Sequence, residues 1–217
     1  MRIKTLITAL IMTAISANAQ LRDITLPEPT PGDGASLYEA LRDRHSTRDF
    51  KDTKPLDDQQ LSNLLWSAAG INRRSEMKRT NPTALNTQEI DLYVFTKEGV
   101  YLYDFENNRL LPKAEGDHRS LVAGTKEFSQ DFVLDAPVSI VMVAELSRFG
   151  EQATGNERFK LMAAADAGYV SENINLFCSA NGLITVPRAT MDSAGIARLL
   201  GLPATALPLL NNPVGRK

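Results

Sequence analysis

The sequence has one cysteine and two histidines in 217 residues. A single cysteine excludes an internal disulfide framework, and two histidines leave little for a zinc centre. Net charge is scarce as well: 24 Lys and Arg stand against 26 Asp and Glu, leaving −2 at pH 7. A chain so balanced carries no broad basic field, so nucleic acid is not an expected partner. The glycine patterns GxGxxG, GxxxxGKS/T and GxSxG are missing, and neither His45 nor His118 belongs to an HExxH motif. Those absences remove the usual basis for dinucleotide, phosphate-loop, serine-hydrolase and zinc-peptidase chemistry. Cys178 falls inside an apolar stretch, where it reads as a small buried hydrophobe rather than a nucleophile.

At the N-terminus, Arg2 and Lys4 precede the uncharged run Thr5–Ile15, which is followed by Ala17-Asn18-Ala19. The run is short of the roughly 20 residues a bilayer span needs. A basic start, a short apolar run and a small-x-small pattern together read as a secretory signal over residues 1–19, cleaved before Gln20. No cysteine follows for a lipid anchor. The expected product is exported, periplasmic or secreted, and has no stable membrane anchor.

What remains is ordinary for a globular protein, with 43% apolar and 23% charged residues. Residues 20–35 hold Pro27, Pro29, Pro31, Gly32 and Gly34, too many breakers for an element, and read as an extended arm. Ser36 and Glu39 form a capping box that starts a helix, with Leu37 and Leu41 on its inner side. Asp57 and Gln60 open a second helix that Gly70 closes in the C′ position. The period then changes to two, and Ile90–Phe95 with Gly99–Tyr103 reads as a β-hairpin. Arg119–Gln130 reads as an amphipathic helix, and Pro137–Val143 as a central strand. Asn156–Ala180 is the longest helix, with Phe159, Met162, Ala163, Ala167, Val170, Ile174 and Phe177 on one face. Gly182–Val186 returns to the sheet, Asp192 caps a short helix ending at Gly201, and Ala206–Leu210 is a last strand. One α+β domain is the result.

Three stretches carry chemistry. Arg44-His45-Ser46-Thr47-Arg48 places two permanent cations around hydroxyls at a helix end. Arginine forks and a serine hydroxyl suit a phosphate, although a solvated helix end has the same composition. Asn81–Gln88 is an uncharged turn before a strand, and its amides suit a heterocycle edge with both donors and acceptors. The tail ends in Arg216-Lys217. Together the three fit a planar cofactor that bears a phosphate.

With these residues in place, the sequence resembles the FMN-dependent nitroreductases, closest to the branch of the azole-peptide (SagB-type) oxidases. Arg44–Phe50 is similar to the family's opening phosphate motif, Leu64–Arg73 to its second-helix signature, and Pro82–Gln88 to its flavin loop. Asp135–Val138, Asp166–Gly168, Asn181–Leu183, Leu199–Pro203 and Pro213–Gly215 follow in the family's order, so the resemblance spans residues 36–217. It implies a nitroreductase-like fold: a mixed central sheet with flanking helices, in an intertwined homodimer that holds FMN at the interface. Arg44, Ser46 and Arg48 would hold the phosphate and ribityl chain, and Arg216 or Lys217 would also reach the phosphate. Asn86 would bond the ring, with Pro187, Arg188, Ala189 and Thr190 beside the isoalloxazine. The implied activity is ping-pong transfer from a small-molecule donor through the flavin to an organic acceptor, nitro, quinone or related. The alternative is a non-catalytic periplasmic protein that keeps the fold to bind a flavin or another aromatic ligand.

Overall fold

The computed structural model describes residues 21–217 apart from 31, 33 and 154. The leader assigned to residues 1–19 lies outside them. In chain order the elements are β1 (Ile24–Thr25), α1 (Leu37–Asp43), α2 (Asp58–Ala69), β2 (Ile71–Arg73), β3 (Lys78–Arg79), β4 (Ile90–Phe95), β5 (Gly99–Asp104), β6 (Arg109–Glu115) and α3 (Arg119–Ala123). They continue as β7 (Val138–Glu145), α4 (Glu157–Ala180), β8 (Leu183–Thr185), α5 (Ser193–Leu200) and β9 (Ala206–Arg216). Seven strands form one sheet in the order β1-β6-β5-β4-β7-β9-β8, and β2 pairs with β3 apart from it. Expected as mixed, the sheet is antiparallel at every pairing described.

The period-two pattern decides the layering. Leu92 and Val94 of β4 face one way, into a core with Leu64 and Leu65 of α2 and Ala163, Ala167, Val170 and Ile174 of α4. Tyr93 and Phe95 face the other way, against Val122 of α3 and Ile196 of α5. With helices on both faces, β7 is buried from Val138 to Ala144 and is apolar throughout that run except for Ser139. No described helix is long and apolar enough to cross a membrane.

The capping boxes of α1 and α2 form as the sequence indicates. The inner face of α1 does not. Leu37 and Leu41 are 64% and 54% exposed, and Ala40 is the buried residue. Two short turns give α1 one small contact line on α4, where Ser179 Oγ donates to Ala40 O at 2.9 Å. The helix expected over Arg119–Gln130 stops at Ala123. Gly124 there takes φ 156°, and a Cβ would stand 2.8 Å from Ser129 Cα, so the chain folds back on itself.

The arm is not featureless: Ile24 and Thr25 pair with Leu110 and Arg109 at the sheet edge. Their partner β6 carries Pro112 at a register irregularity, which hid it in the sequence. β9 runs six residues beyond the expected Leu210, through Pro213, because pairing with β7 and β8 overrides the breaker signal.

Gly70 caps α2, but with extended backbone (φ −69°, ψ 164°) rather than the left-handed C′ form. Its requirement is space. An added Cβ would lie 2.6 Å from Trp66 Cα, and Trp66 Nε1 donates to Ile71 O at 3.2 Å just beyond. Gly70→Ala should therefore cost about 1–3 kcal/mol by overpacking, measured as a shift in urea midpoint with unchanged slope.

Candidate functional site

The segment after α1 is fixed by its odd members and its end. Thr47 N–H donates to Thr185 O at the end of β8, at 3.0 Å. Phe50 is fully buried and stacks on Phe132 with ring centroids 6.1 Å apart, within a small core of Ala136, Ile184 and Val186. Pinned at both points, the segment leaves Arg44 half-buried and Ser46 and Arg48 exposed. Among the described residues, none of these three side chains has a hydrogen-bond or ion-pair partner. Arginines held on a fixed backbone without a carboxylate are suited to a bound anion.

The turn Pro187–Thr190 follows β8 directly. Pro187 and Ala189 are exposed and Thr190 is half-buried, whereas Arg188 points inward and is 6% exposed. Its guanidinium donates to Gln130 Oε1 (2.8 Å), Val122 O (3.0 Å), Asn211 Oδ1 (2.7 Å) and Ala123 O (3.0 Å). Burial, with the like charge of Arg48 nearby, lowers its pKa to about 10. The turn therefore offers a ligand its backbone and the side chains of Pro187, Ala189 and Thr190. Arg188 is the tie that holds it.

The C-terminal cations lie at the same end. Lys54 and Arg216 exchange backbone hydrogen bonds (2.9 and 3.2 Å), and Gly215 lets β9 approach Thr53, where a Cβ would meet Thr53 Cβ at 2.7 Å. Arg216 Nε is buried without a partner among the described residues. Lys217 is exposed and lines a cavity with His45, Thr47, Asn175, Thr185 and Ser179.

Asn86 occupies a different position. Its loop, Thr83–Gln88, is anchored to the other half of α4 by Ala84 N–H donating to Asp166 Oδ2 at 2.7 Å. Asp166 and Cys178 are separated by about 18 Å of helix rise. The Asn86 side chain is exposed and has no partner among the described residues. Along α4 the order is Lys217 near Ser179, then the level of Ser171 where Asn212 and its neighbour Asn211 meet the 187–190 turn, then Asn86 near Asp166. That order runs from a cationic end to an exposed, uncharged amide. Among the described residues, no cluster of three or more His, Cys, Asp or Glu is arranged to hold a metal.

Two positioning residues escaped the sequence reading. Asn211 Nδ2 donates to Thr190 O (3.0 Å) while its oxygen receives Arg188. Asn212 receives Ser171 Oγ (2.7 Å) and donates to Asn175 (3.0 Å) and Thr185 Oγ1 (3.1 Å). Two fully buried amides in an otherwise apolar strand were the available signal. Arg188→Met should destabilise the protein by about 3–5 kcal/mol, because four acceptors lose one shared donor group in a dry interior. Denaturant unfolding checks this, and Arg188→Lys should recover only part of the loss.

Comparison with known proteins supplies the context. The model of the Nitroreductase family matches residues 41–216. A candidate nitroreductase from Ralstonia eutropha JMP134 is 37% identical, with 90% of each chain covered and a TM-score of 0.80. The Escherichia coli microcin synthetase McbBCD complex, with truncated pro-MccB17 bound, contains a similar chain at 18% identity. There 99% of this chain and 85% of that one are covered, with a TM-score of 0.64. A candidate NADH oxidase from Clostridium acetobutylicum is 18% identical, with 81% and 86% covered and a TM-score of 0.55. Among curated proteins nothing matches. The family match over most of the chain and the likeness at 37% identity agree with the geometry above, and the chain belongs to the nitroreductase family.

Proposed function

We propose that this oxidoreductase is FMN-dependent, exported and homodimeric, and passes electrons from a small-molecule donor to an organic acceptor of the nitro or quinone kind. The observation that carries the reading is the pair Arg44 and Arg48, the latter close to the desolvated Arg188, with no carboxylate bonded to any of the three among the described residues. Bound FMN would supply two-electron chemistry at its ring. Arg44, Ser46 and Arg48 would hold its phosphate and ribityl chain, with Arg216 Nε and Lys217 as further donors. Asn86 would bond the ring edge, and the 187–190 turn would set the plane beside it. The protein's part is to bind and orient, which accords with the lack of a nucleophile in the sequence. Export rests on the leader-like residues 1–19 alone.

The homodimer is supported by an apolar face that the described residues leave bare. Leu161, Ala164, Ala165 and Tyr169 form a stripe on α4, opposite the buried Ala163, Ala167 and Val170. Leu85, in the loop tied to Asp166 of α4, is 73% exposed, and Leu37, Tyr38 and Leu41 are further exposed apolar side chains on α1. Leu161→Glu should convert the dimer to monomer by light scattering and weaken FMN binding with it.

The direct test is the visible spectrum of the chain from Gln20 onward, before and after FMN is added. Arg44→Ala and Arg48→Ala should each weaken FMN binding about tenfold to a hundredfold, the 1.5–3 kcal/mol of one charged hydrogen bond. A folded protein that ignores FMN would overturn the proposal. Dithionite reduction followed by quinone or nitroaromatic acceptors separates an enzyme from a flavin-holding protein, whose flavin stays reduced.

A further inference from the structure

The loop that carries Asn86 rests on two acids. Asp166 is 3% exposed and takes the Ala84 N–H. Glu89, just before β4, is fully buried and receives Thr87 Oγ1 at 2.8 Å through Oε2. Its Oε1 is buried and has no donor among the described residues. Ala84 and Thr87, three residues apart, tie Asp166 and Glu89 to one short stretch, and Asp166 is close enough to help raise the Glu89 pKa. Two carboxyl groups this close favour a proton between them, since two adjacent anions in a dry site repel strongly.

The surrounding charges leave this arrangement intact. Arg79 of β3 faces Glu89 but gives Nη1 to Ile90 O at 2.7 Å and lies over the Phe105 ring at 3.7 Å. Arg148, after β7, gives its donors to Gln88 O and to the Asp91 carboxylate. No cation bonds the Glu89 carboxyl among the described residues. Burial first, and Asp166 with it, pushes the Glu89 pKa up to about 7 against the shared pull of Thr87 and the backbone.

The loop itself has reason to move. Leu85, Asn86 and Gln88 take φ of 56°, 56° and 51°. The left-handed region costs Leu85 and Gln88 about 1–2 kcal/mol each, while Asn86 tolerates it, so the loop keeps this shape only while its anchors hold. Two of those anchors, Ala84 N–H and Thr87 Oγ1, end on the acid pair.

We propose that Glu89 and Asp166 are positioning residues that share one proton, and that this proton latches the 83–88 loop and presents Asn86. With Glu89 protonated, Oε1–H donates to Asp166 and both carboxyls keep their loop contacts. When Glu89 ionises, its Oε1 loses that bond, the two anions separate, and the strained loop relaxes. The folded carboxyl titrates above its unfolded value of 4.5. The stabilisation is therefore complete below about pH 4.5 and is lost as pH rises through about 7. Asn86 as a ring contact rests on the function proposed above; the latch does not.

The test begins with the wild-type chain without ligand. Carboxyl-carbon NMR should give Glu89 a midpoint near 7, lowered in Asp166→Asn because the neighbouring acid is one of its raising causes. Protection of the Ala84 amide against exchange, corrected for intrinsic rate, should fall about tenfold across that window. In Glu89→Gln it should not vary with pH. A Glu89 midpoint below about 5, or pH-independent Ala84 protection in the wild type, overturns the latch. The ratio of wild-type to Glu89→Gln affinity for FMN should fall through the same midpoint, a comparison that cancels the titration of the phosphate. A flat ratio overturns the presentation of Asn86. A protein that shows the titration and binds no FMN at any pH refutes the flavin reading and supports the latch.

Discussion

The pairing of β9 with β7 is the constraint on which the other contacts hang. Eight residues of β7 oppose β9, in a sheet covered on both faces. Because β9 is locked at that register, Asn211 arrives under the 187–190 turn and Asn212 arrives under α4. Four residues further on, Arg216 meets Lys54 and the free end of β8. A slip by one residue would turn the amides to opposite faces, and the turn, the long helix and the cationic end would lose their common reference. The candidate site is thus built on the rigid middle of the domain although the groups proposed to meet a ligand lie on loops.

The sequence showed elements well where one physical signal acted alone. Capping boxes at Ser36 and Asp57 and the alternation Ile90–Phe95 translate directly into structure. It failed where two signals competed. Pro112 and Pro213 argued against strands that cross-strand pairing then imposed, and Gly124 ended a helix that amphipathicity would have continued. Leu37 and Leu41 show a different limit: helical spacing identifies an apolar face, but not whether the same chain covers it.

The site divides in the same way. Arg44, Ser46 and Arg48 were legible as a unit because they are close in sequence and stay close in space. Arg188 was legible only as a position; its inward side chain depends on four acceptors drawn from three distant segments. The acid pair beneath Asn86 was invisible, because Glu89 and Asp166 are far apart in sequence and each alone looks like an ordinary charged residue. Buried amides and acids inside apolar strands and helices are what the folded chain uses to fix its loops.

Trp66 is the sole tryptophan, and it sits where α2 ends against Gly70. Its half-buried indole, tied through Nε1 to Ile71 O, gives the chain a single indole emitter at a defined place. Its emission colour thus reports solvent entry at the end of one helix, with no second indole to average over. A yellow chromophore bound nearby would act as an acceptor for that light, so the fold carries its own optical ruler.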